Sequence, residues 1–395
     1  MQDTHTRTPI TIPEFRNLHT LSGHTRAVNV LAMSLDSAFL LSGADDSALI
    51  IWDVLSGHLV QSIDVRFHGQ LQTALWLYTD IDRVATGFIF GCADGTVHHY
   101  KKEPASVQFN CAAVEKPPAG RGGVEALAFD PFNSHVATAR GGMIELWSVE
   151  SRDLKLLHSN RTEDVLISSL FFIEQGTVLV ISYLESHEVV AYQTMPWKEQ
   201  WRRTLRTRLW VFSSRISDVI DTIDTIFSGF CVPGADTMLV SNLEDGVDVY
   251  TLPPTRLIRT HRHSTEENYR LQLATFSEGS FAVGSATGTI PLYDQAGHLC
   301  QTISHGTLPV TTLTSSQLGG TSYLVSAAST FPFDIKIWAA ASTLAHGQPV
   351  VAEHGPQSLS FRQFLILMFL CGATQWLLSN LQTVHNAMLR LTQLA

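Results

Sequence analysis

The chain has 395 residues, a net charge of −10 at neutral pH and 45% apolar residues. That apolar share excludes a disordered chain, and the acidic balance excludes general nucleic-acid binding, which needs a basic footprint. Charged residues make up 16%, so Ser, Thr, Gln, Asn and His must supply much of the polar surface, and the length fits two or three average domains or one large all-β domain.

Residues 1–14 read as a polar N-terminal tail without the apolar core of a signal peptide. Cys92, Cys111, Cys231, Cys300 and Cys371 are widely scattered and form no Cys-x-x-Cys. Reduced thiols and a cytoplasmic address are expected. Next comes a strand at Arg16–Leu21, followed by Gly23-His24, Ser42, Asp46 and Trp52-Asp53. Two segments of this region return later in the chain. His19-Thr20-Leu21-Ser22-Gly23-His24 resembles Gln301-Thr302-Ile303-Ser304-His305-Gly306, and Gly57-His58-Leu59-Val60-Gln61 matches Gly297-His298-Leu299-Cys300-Gln301.

Short alternating strands then end in an aromatic at Trp52, Tyr100, Trp147, Tyr192, Tyr250, Tyr293 and Trp338, at intervals of 48, 47, 45, 58, 43 and 45 residues. Each aromatic follows a turn such as Gly43-Ala44-Asp45-Asp46 or Cys92-Ala93-Asp94-Gly95. Turn-rich β units at this period are propeller blades, each a four-stranded sheet. The expected fold is therefore all-β, a seven-bladed propeller over residues 15–338. Its last blade supplies three strands near 309–314, 322–327 and 333–338, so Arg16–Leu21 is expected as the missing outer strand that closes the ring and removes two exposed edges.

These residues resemble the WD-repeat family over about residues 15–338. In that family a His, a Ser or Thr, an Asp and a Trp form a hydrogen-bonded chain that ties one blade together. The resemblance implies this role for His24, Ser42, Asp46 and Trp52, because a buried indole and imidazole need partners. The second blade keeps Asp94 before Tyr100 and the sixth keeps Tyr293-Asp294; blades three, four, five and seven show mainly the strand pattern.

Within the long interval between Tyr192 and Tyr250, the stretch from Lys198 to Arg215 carries Lys198, Arg202, Arg203, Arg206, Arg208 and Arg215 against Glu199. A second basic run includes Arg256, Arg259, Arg262 and Arg270. Two readings stand. One is a basic, Trp-bearing rim on Arg202, Arg203, Arg206, Arg208, Arg256 and Arg259 for an acidic partner or an anionic lipid. The other is an outer strand with solvated Arg side chains and with Trp and Leu packed inward.

Residues 339–360 are rich in Ala, Ser, Gly and Pro and read as a linker. Residues 361–395 read as a C-terminal helix that includes Phe364, Leu367, Leu370, Trp376, Leu377 and Leu381. From Gln363 to Leu381 there are 19 residues, about 28 Å as a helix against a hydrocarbon core of roughly 30 Å. Phe364–Ala373 is continuously apolar, whereas Leu377, Leu381, Val384 and Met388 follow a helical stripe. A tail anchor through residues 363–389 with the propeller facing the cytosol, and a helix packed on a partner protein, are the competing expectations.

No catalytic motif is visible. Adjacent His98 and His99 point to opposite faces of a strand. His261 and His263 have no neighbouring Cys or carboxylate to complete a metal site. Gly120–Gly123 and Arg140-Gly141-Gly142 lack the Lys-Ser/Thr ending of a phosphate loop and read as turns. The expected protein is a non-catalytic scaffold or adaptor that binds protein partners, without cofactor or small-molecule substrate. The alternatives are a soluble subunit of a larger assembly, held by its C-terminal stripe, and a protein similar in layout to membrane-anchored propeller exchange factors for small GTPases.

Overall fold

Runs of three to nine residues, apolar on the inner strands of each blade and separated by turns rich in Gly, Asp, Asn and Pro, set the strands. In the computed structural model, the described residues are 14–341 apart from 80, 82, 104–105, 118–121, 151–152, 163–165, 206–228, 232–236, 243–245, 263–270, 277–278 and 307–308. Strand β1 (Arg16–Leu21) comes first. The first blade follows as β2 (Val28–Met33), β3 (Phe39–Ala44), β4 (Ala48–Asp53) and β5 (Leu59–Asp64). The second is β6 (Leu71–Tyr78), β7 (Ala85–Cys92), β8 (Val97–Lys102) and β9 (Phe109–Glu115). The third is β10 (Val124–Asp130), β11 (His135–Arg140), β12 (Met143–Val149) and β13 (Leu154–Arg161). The fourth is β14 (Ile167–Ile173), β15 (Val178–Tyr183), β16 (Glu188–Gln193) and β17 (Lys198–Thr204). The fifth is β18 (Gly229–Cys231), β19 (Thr237–Asn242), β20 (Gly246–Thr251) and β21 (Leu257–Arg262). The sixth is β22 (Leu273–Thr275), β23 (Phe281–Val283), β24 (Thr289–Tyr293) and β25 (Leu299–Ser304). The last three strands are β26 (Val310–Leu318), β27 (Thr321–Ala328) and β28 (Ile335–Ala341).

Each set of four is one antiparallel sheet in chain order, and the seventh sheet runs β1-β28-β27-β26. Thr20 lies opposite Lys336 and Leu21 opposite Ile335. The chain's beginning therefore completes the last blade, and the all-β, seven-bladed propeller is closed by its own N-terminal strand.

Burial explains the two kinds of sequence pattern. Second strands lie between neighbouring blades, so both faces are covered and they read as unbroken apolar runs; every residue of β3 and of β15 is buried. Outer strands face solvent, and β5 and β25 each retain one buried side chain, Ile63 and Ile303. Among the described residues the apolar core falls into seven clusters, each at one junction between blades. The closing junction packs Val28, Leu40 and Trp52 against Val325, Ala327 and Ile337.

The periodic aromatic marks a second regularity. In all seven sheets the pairing of the third with the outer strand shifts register at the aromatic. In the first blade Trp52 lies opposite Leu59 and Ile51 opposite Gln61, which leaves Val60 as the extra residue. A β-bulge there increases the twist of the outer strand, as a blade that widens from the axis to the rim requires.

The last strand continues to Ala341, so Ala339–Ala341 belong to the sheet instead of the expected linker. Ala340 is buried at the junction of blades six and seven. The expected helix over 361–395, with Phe364, Leu367, Leu370, Trp376, Leu377 and Leu381, lies outside the described residues. Among the described residues no helix is long and apolar enough to cross a membrane.

Candidate blade networks and interaction faces

His24 stands in the connection between β1 and β2, Ser42 on β3, Asp46 in the turn after β3, and Trp52 on β4. The structure brings all four together. Trp52 Nε1 donates to Ser42 Oγ at 2.8 Å, and Ser42 Oγ lies 2.8 Å from His24 Nε2. His24 Nδ1 faces Asp46 Oδ2 at 3.2 Å. Asp46 also accepts from the Thr25 and Ala48 N–H groups at 2.8 and 3.0 Å. Burial raises the Asp46 carboxyl, but those two N–H groups and His24 outweigh it and hold it below its ordinary range. Burial lowers His24, which Asp46 only partly offsets, so the imidazole stays neutral near pH 7.

Ser, His and Asp in this order have the geometry of a nucleophilic triad. Here Ser42 is 0% exposed, and the indole of Trp52 occupies the approach to its hydroxyl. The arrangement is a sealed tie between blade strands. Gly23 is required beside it, because a Cβ there would press on Trp52 and Ile50 at 3.0 and 3.2 Å.

Related ties exist in blades where the sequence shows only a strand pattern. In the seventh blade Trp338 Nε1 donates to Ser326 Oγ at 2.9 Å, and His305 Nδ1 lies 2.7 Å from the same oxygen. In the third blade Trp147 Nε1 donates to Thr138 Oγ1 at 3.2 Å, and that hydroxyl donates to Glu145 at 3.3 Å. Arg140, 2% exposed, then bonds Glu145 at 2.5 Å and the Gly95 carbonyl of the second blade at 2.7 Å. Gly141 and Gly142 form the expected turn, but Arg140 is a buried tie between blades. The available signal was a Thr nine residues before Trp147, as Ser42 stands ten before Trp52. The second blade replaces the hydroxyl with aromatic stacking: Phe90 lies on His98 at 4.6 Å and Phe88 on Tyr100 at 5.2 Å. Its Asp94 still accepts from His68 at 2.8 Å.

Of the residues expected to form a basic rim, Arg202 and Arg203 lie on β17, Arg259 lies on β21 and Arg256 just precedes β21. Arg202 is bound by Glu188 at 2.6 Å and Glu199 at 2.9 Å, and hydrogen bonding to Glu199 raises its pKa further. Arg259 donates to the Ala296 carbonyl at 2.7 Å. Arg203 and Arg256 are exposed, and Arg206 and Arg208 lie outside the described residues. Trp201 and Leu205 pack inward against Val189 and Met238. His98 and His99 are both buried, and His261 packs on Phe281. His263 lies outside the described residues. No group of three His, Cys, Asp or Glu side chains among the described residues has the arrangement of a metal site.

The family model "WD domain, G-beta repeat" matches residues 15–53. The chain is similar to Mitochondrial division protein 1 of Saccharomyces cerevisiae, at 30% identity over 135 residues, 34% of this chain and 14% of that protein. It is also similar to WD repeat protein iqw1 of Schizosaccharomyces pombe, at 58% identity over 36 residues, 9% of this chain and 4% of that protein. The chain therefore spans about one seventh or less of the curated relatives it matches.

Proposed function

We propose a non-catalytic, partner-holding role for this chain, which belongs to the WD-repeat propeller family as a divergent member of no particular subfamily. The observation that carries it is the sealed state of the Ser–His–Asp constellation formed by Ser42, His24 and Asp46. The hydroxyl that would act as nucleophile accepts from Trp52 and is closed to solvent. The rigid ring then presents its connecting loops and outer strands to other proteins.

A fluorophosphonate probe on the folded chain, combined with proximity labelling in cells, tests this reading. No adduct at Ser42 and a reproducible set of neighbouring proteins are expected. An adduct at Ser42, or labelling no different from that of a free labelling enzyme, overturns it.

The C-terminal sequence favours one refinement. The continuous apolar run Phe364–Ala373 suits a tether that holds the platform at a membrane with the ring in the cytosol. A fluorescent reporter carrying residues 342–395 is expected to resist carbonate extraction; a diffuse, extractable reporter removes the tether and leaves the platform.

A further inference from the structure

The exposed apolar side chains of the loops are unequally shared between the two faces of the ring. In an antiparallel blade the loops joining first to second strand and third to fourth strand emerge on one face. The other loops, with His24, Asp46 and Asp94, emerge on the opposite face. On the former face, the consecutive blades two to four present Ile81 (89% exposed), Val84, Val107, Phe132 and Met195 (60% exposed). Their loops are neighbours. Tyr78 meets Phe129 edge-on at 5.4 Å between blades two and three, and Asn133 Nδ2 donates to the Gln175 carbonyl at 3.3 Å between blades three and four. Single exposed apolar residues are ordinary, but several on adjoining loops mark a docking surface.

Charge narrows the choice of occupant. On the same face, the loops of these three blades carry the exposed acids Glu103, beside Val107, and Glu150, Asp153 and Glu174 on the adjoining β12–β13 and β14–β15 loops, against Arg83 among the described residues. Among the described residues none of the four acids is in an ion pair. The negative field extends to the nearby outer strand, where burial and the charge of Asp153 hold Glu115 above its ordinary range. A second copy of this chain would bring the same acids against these, and an anionic bilayer would be repelled.

We propose that this face of blades two to four docks a basic amphipathic segment of a protein partner, with an apolar stripe on Ile81, Phe132 and Met195 and flanking Lys or Arg against Glu103, Glu150, Asp153 and Glu174. The inference rests on the platform reading and gives it a surface and a partner chemistry.

The probe is a fluorescent amphipathic Leu/Lys peptide of about 18 residues, roughly five helical turns, titrated into the full chain beside a Leu/Glu peptide of the same pattern. Saturable binding of the Leu/Lys peptide alone is expected. Phe132→Asp/Met195→Asp should weaken it by about tenfold or more, whereas Phe67→Asp on the opposite face should not. Glu150→Lys/Glu174→Lys should weaken the Leu/Lys peptide and create binding of the Leu/Glu peptide, a gain that misfolding does not produce. Equal binding of both peptides, indifference to Phe132→Asp/Met195→Asp, or loss of self-association or of vesicle binding in that variant overturns the proposal. If proximity labelling finds the same partners for wild type and Phe132→Asp/Met195→Asp, this face fails and the platform reading stands; if neither chain has partners, the platform reading itself fails.

Discussion

The Gln301 carboxamide holds Phe15 by both of its backbone groups, Nε2 donating to the carbonyl at 3.0 Å and Oε1 accepting from the N–H at 3.0 Å. Gln61 holds Phe109 in the same way at 2.9 Å and 2.9 Å. Each clamp joins the outer strand of one blade to the start of the next blade's outer strand. The one on Phe15 fixes the chain just before β1, and Phe15 is itself buried against Phe276 at 5.3 Å.

Gln301→Ala leaves a peptide N–H and C=O unpaired at a half-buried site, at a cost of about 1–3 kcal/mol. Gln61→Ala removes the same two bonds from an interior junction and should cost a similar amount. Hydrogen exchange separates them: amides of Arg16–Leu21 should exchange faster in Gln301→Ala and unchanged in Gln61→Ala. Equal protection of those amides in both variants would contradict the latch.

Deletion of residues 1–22 removes β1 and opens the ring between blades seven and one. It exposes the edge of β28 and uncovers part of the closing cluster around Trp52 and Ile337. Loss of the cooperative melting transition is expected by circular dichroism. Cooperative melting at the wild-type temperature would show that closure contributes nothing.

The blade count and ring closure were legible because two covered faces enforce continuous apolar runs in the second strands, and the third strand of each blade carries the periodic aromatic. The repeat Gly57-His58-Leu59-Val60-Gln61 was visible, but its meaning was not. Gly57 and Gly297 sit at φ +71° and +87°, and a Cβ on either would collide with His19 or His261 of the preceding outer strand. Four residues on, Gln61 and Gln301 make the clamps. Neither contact leaves a sequence signal, since the partner is a backbone group or a residue over 30 positions away. The blade ties were legible only where the full His, Ser, Asp and Trp set survived. At Arg140 and Glu145 a charge pair fills the same space with different residue types.

Ser42→Ala leaves the Trp52 indole N–H and His24 Nε2 buried without a partner. A loss of about 1–3 kcal/mol per orphaned group is expected. Trp52→Phe removes the donor but keeps the Ser42–His24 bond. The double variant should therefore lose less than the sum of the two singles in urea unfolding. Strict additivity would mean that the two side chains do not form one network.

Arg140→Met should destabilise by about 3–5 kcal/mol, because it breaks the buried ion pair with Glu145 from one side. Arg140→Met/Glu145→Leu removes both charges and should recover most of that loss, although Thr138 and Gly95 each lose a hydrogen bond. Urea midpoints of the single and double variants decide it. A double variant no more stable than Arg140→Met would place the role of Arg140 in its bond to the Gly95 carbonyl.

Acid should weaken the ring as its buried histidines are forced to take up protons. Burial holds His98, His99 and His305 down to about 4, from an ordinary value of 6.5. A base with a depressed folded-state pKa binds fewer protons folded than unfolded. Its contribution is therefore complete above about pH 6.5 and is lost progressively as the pH falls towards about 4. In that window each imidazole contributes a slope approaching about 1.4 kcal/mol per pH unit. His99→Leu provides the check, because His99 Nδ1 has no hydrogen-bond partner among the described residues. It should cost little at pH 7.5 and should flatten the decline of the urea midpoint between pH 6.5 and 4.5. An unchanged decline would mean that His99 is not held neutral by its place between blades two and three.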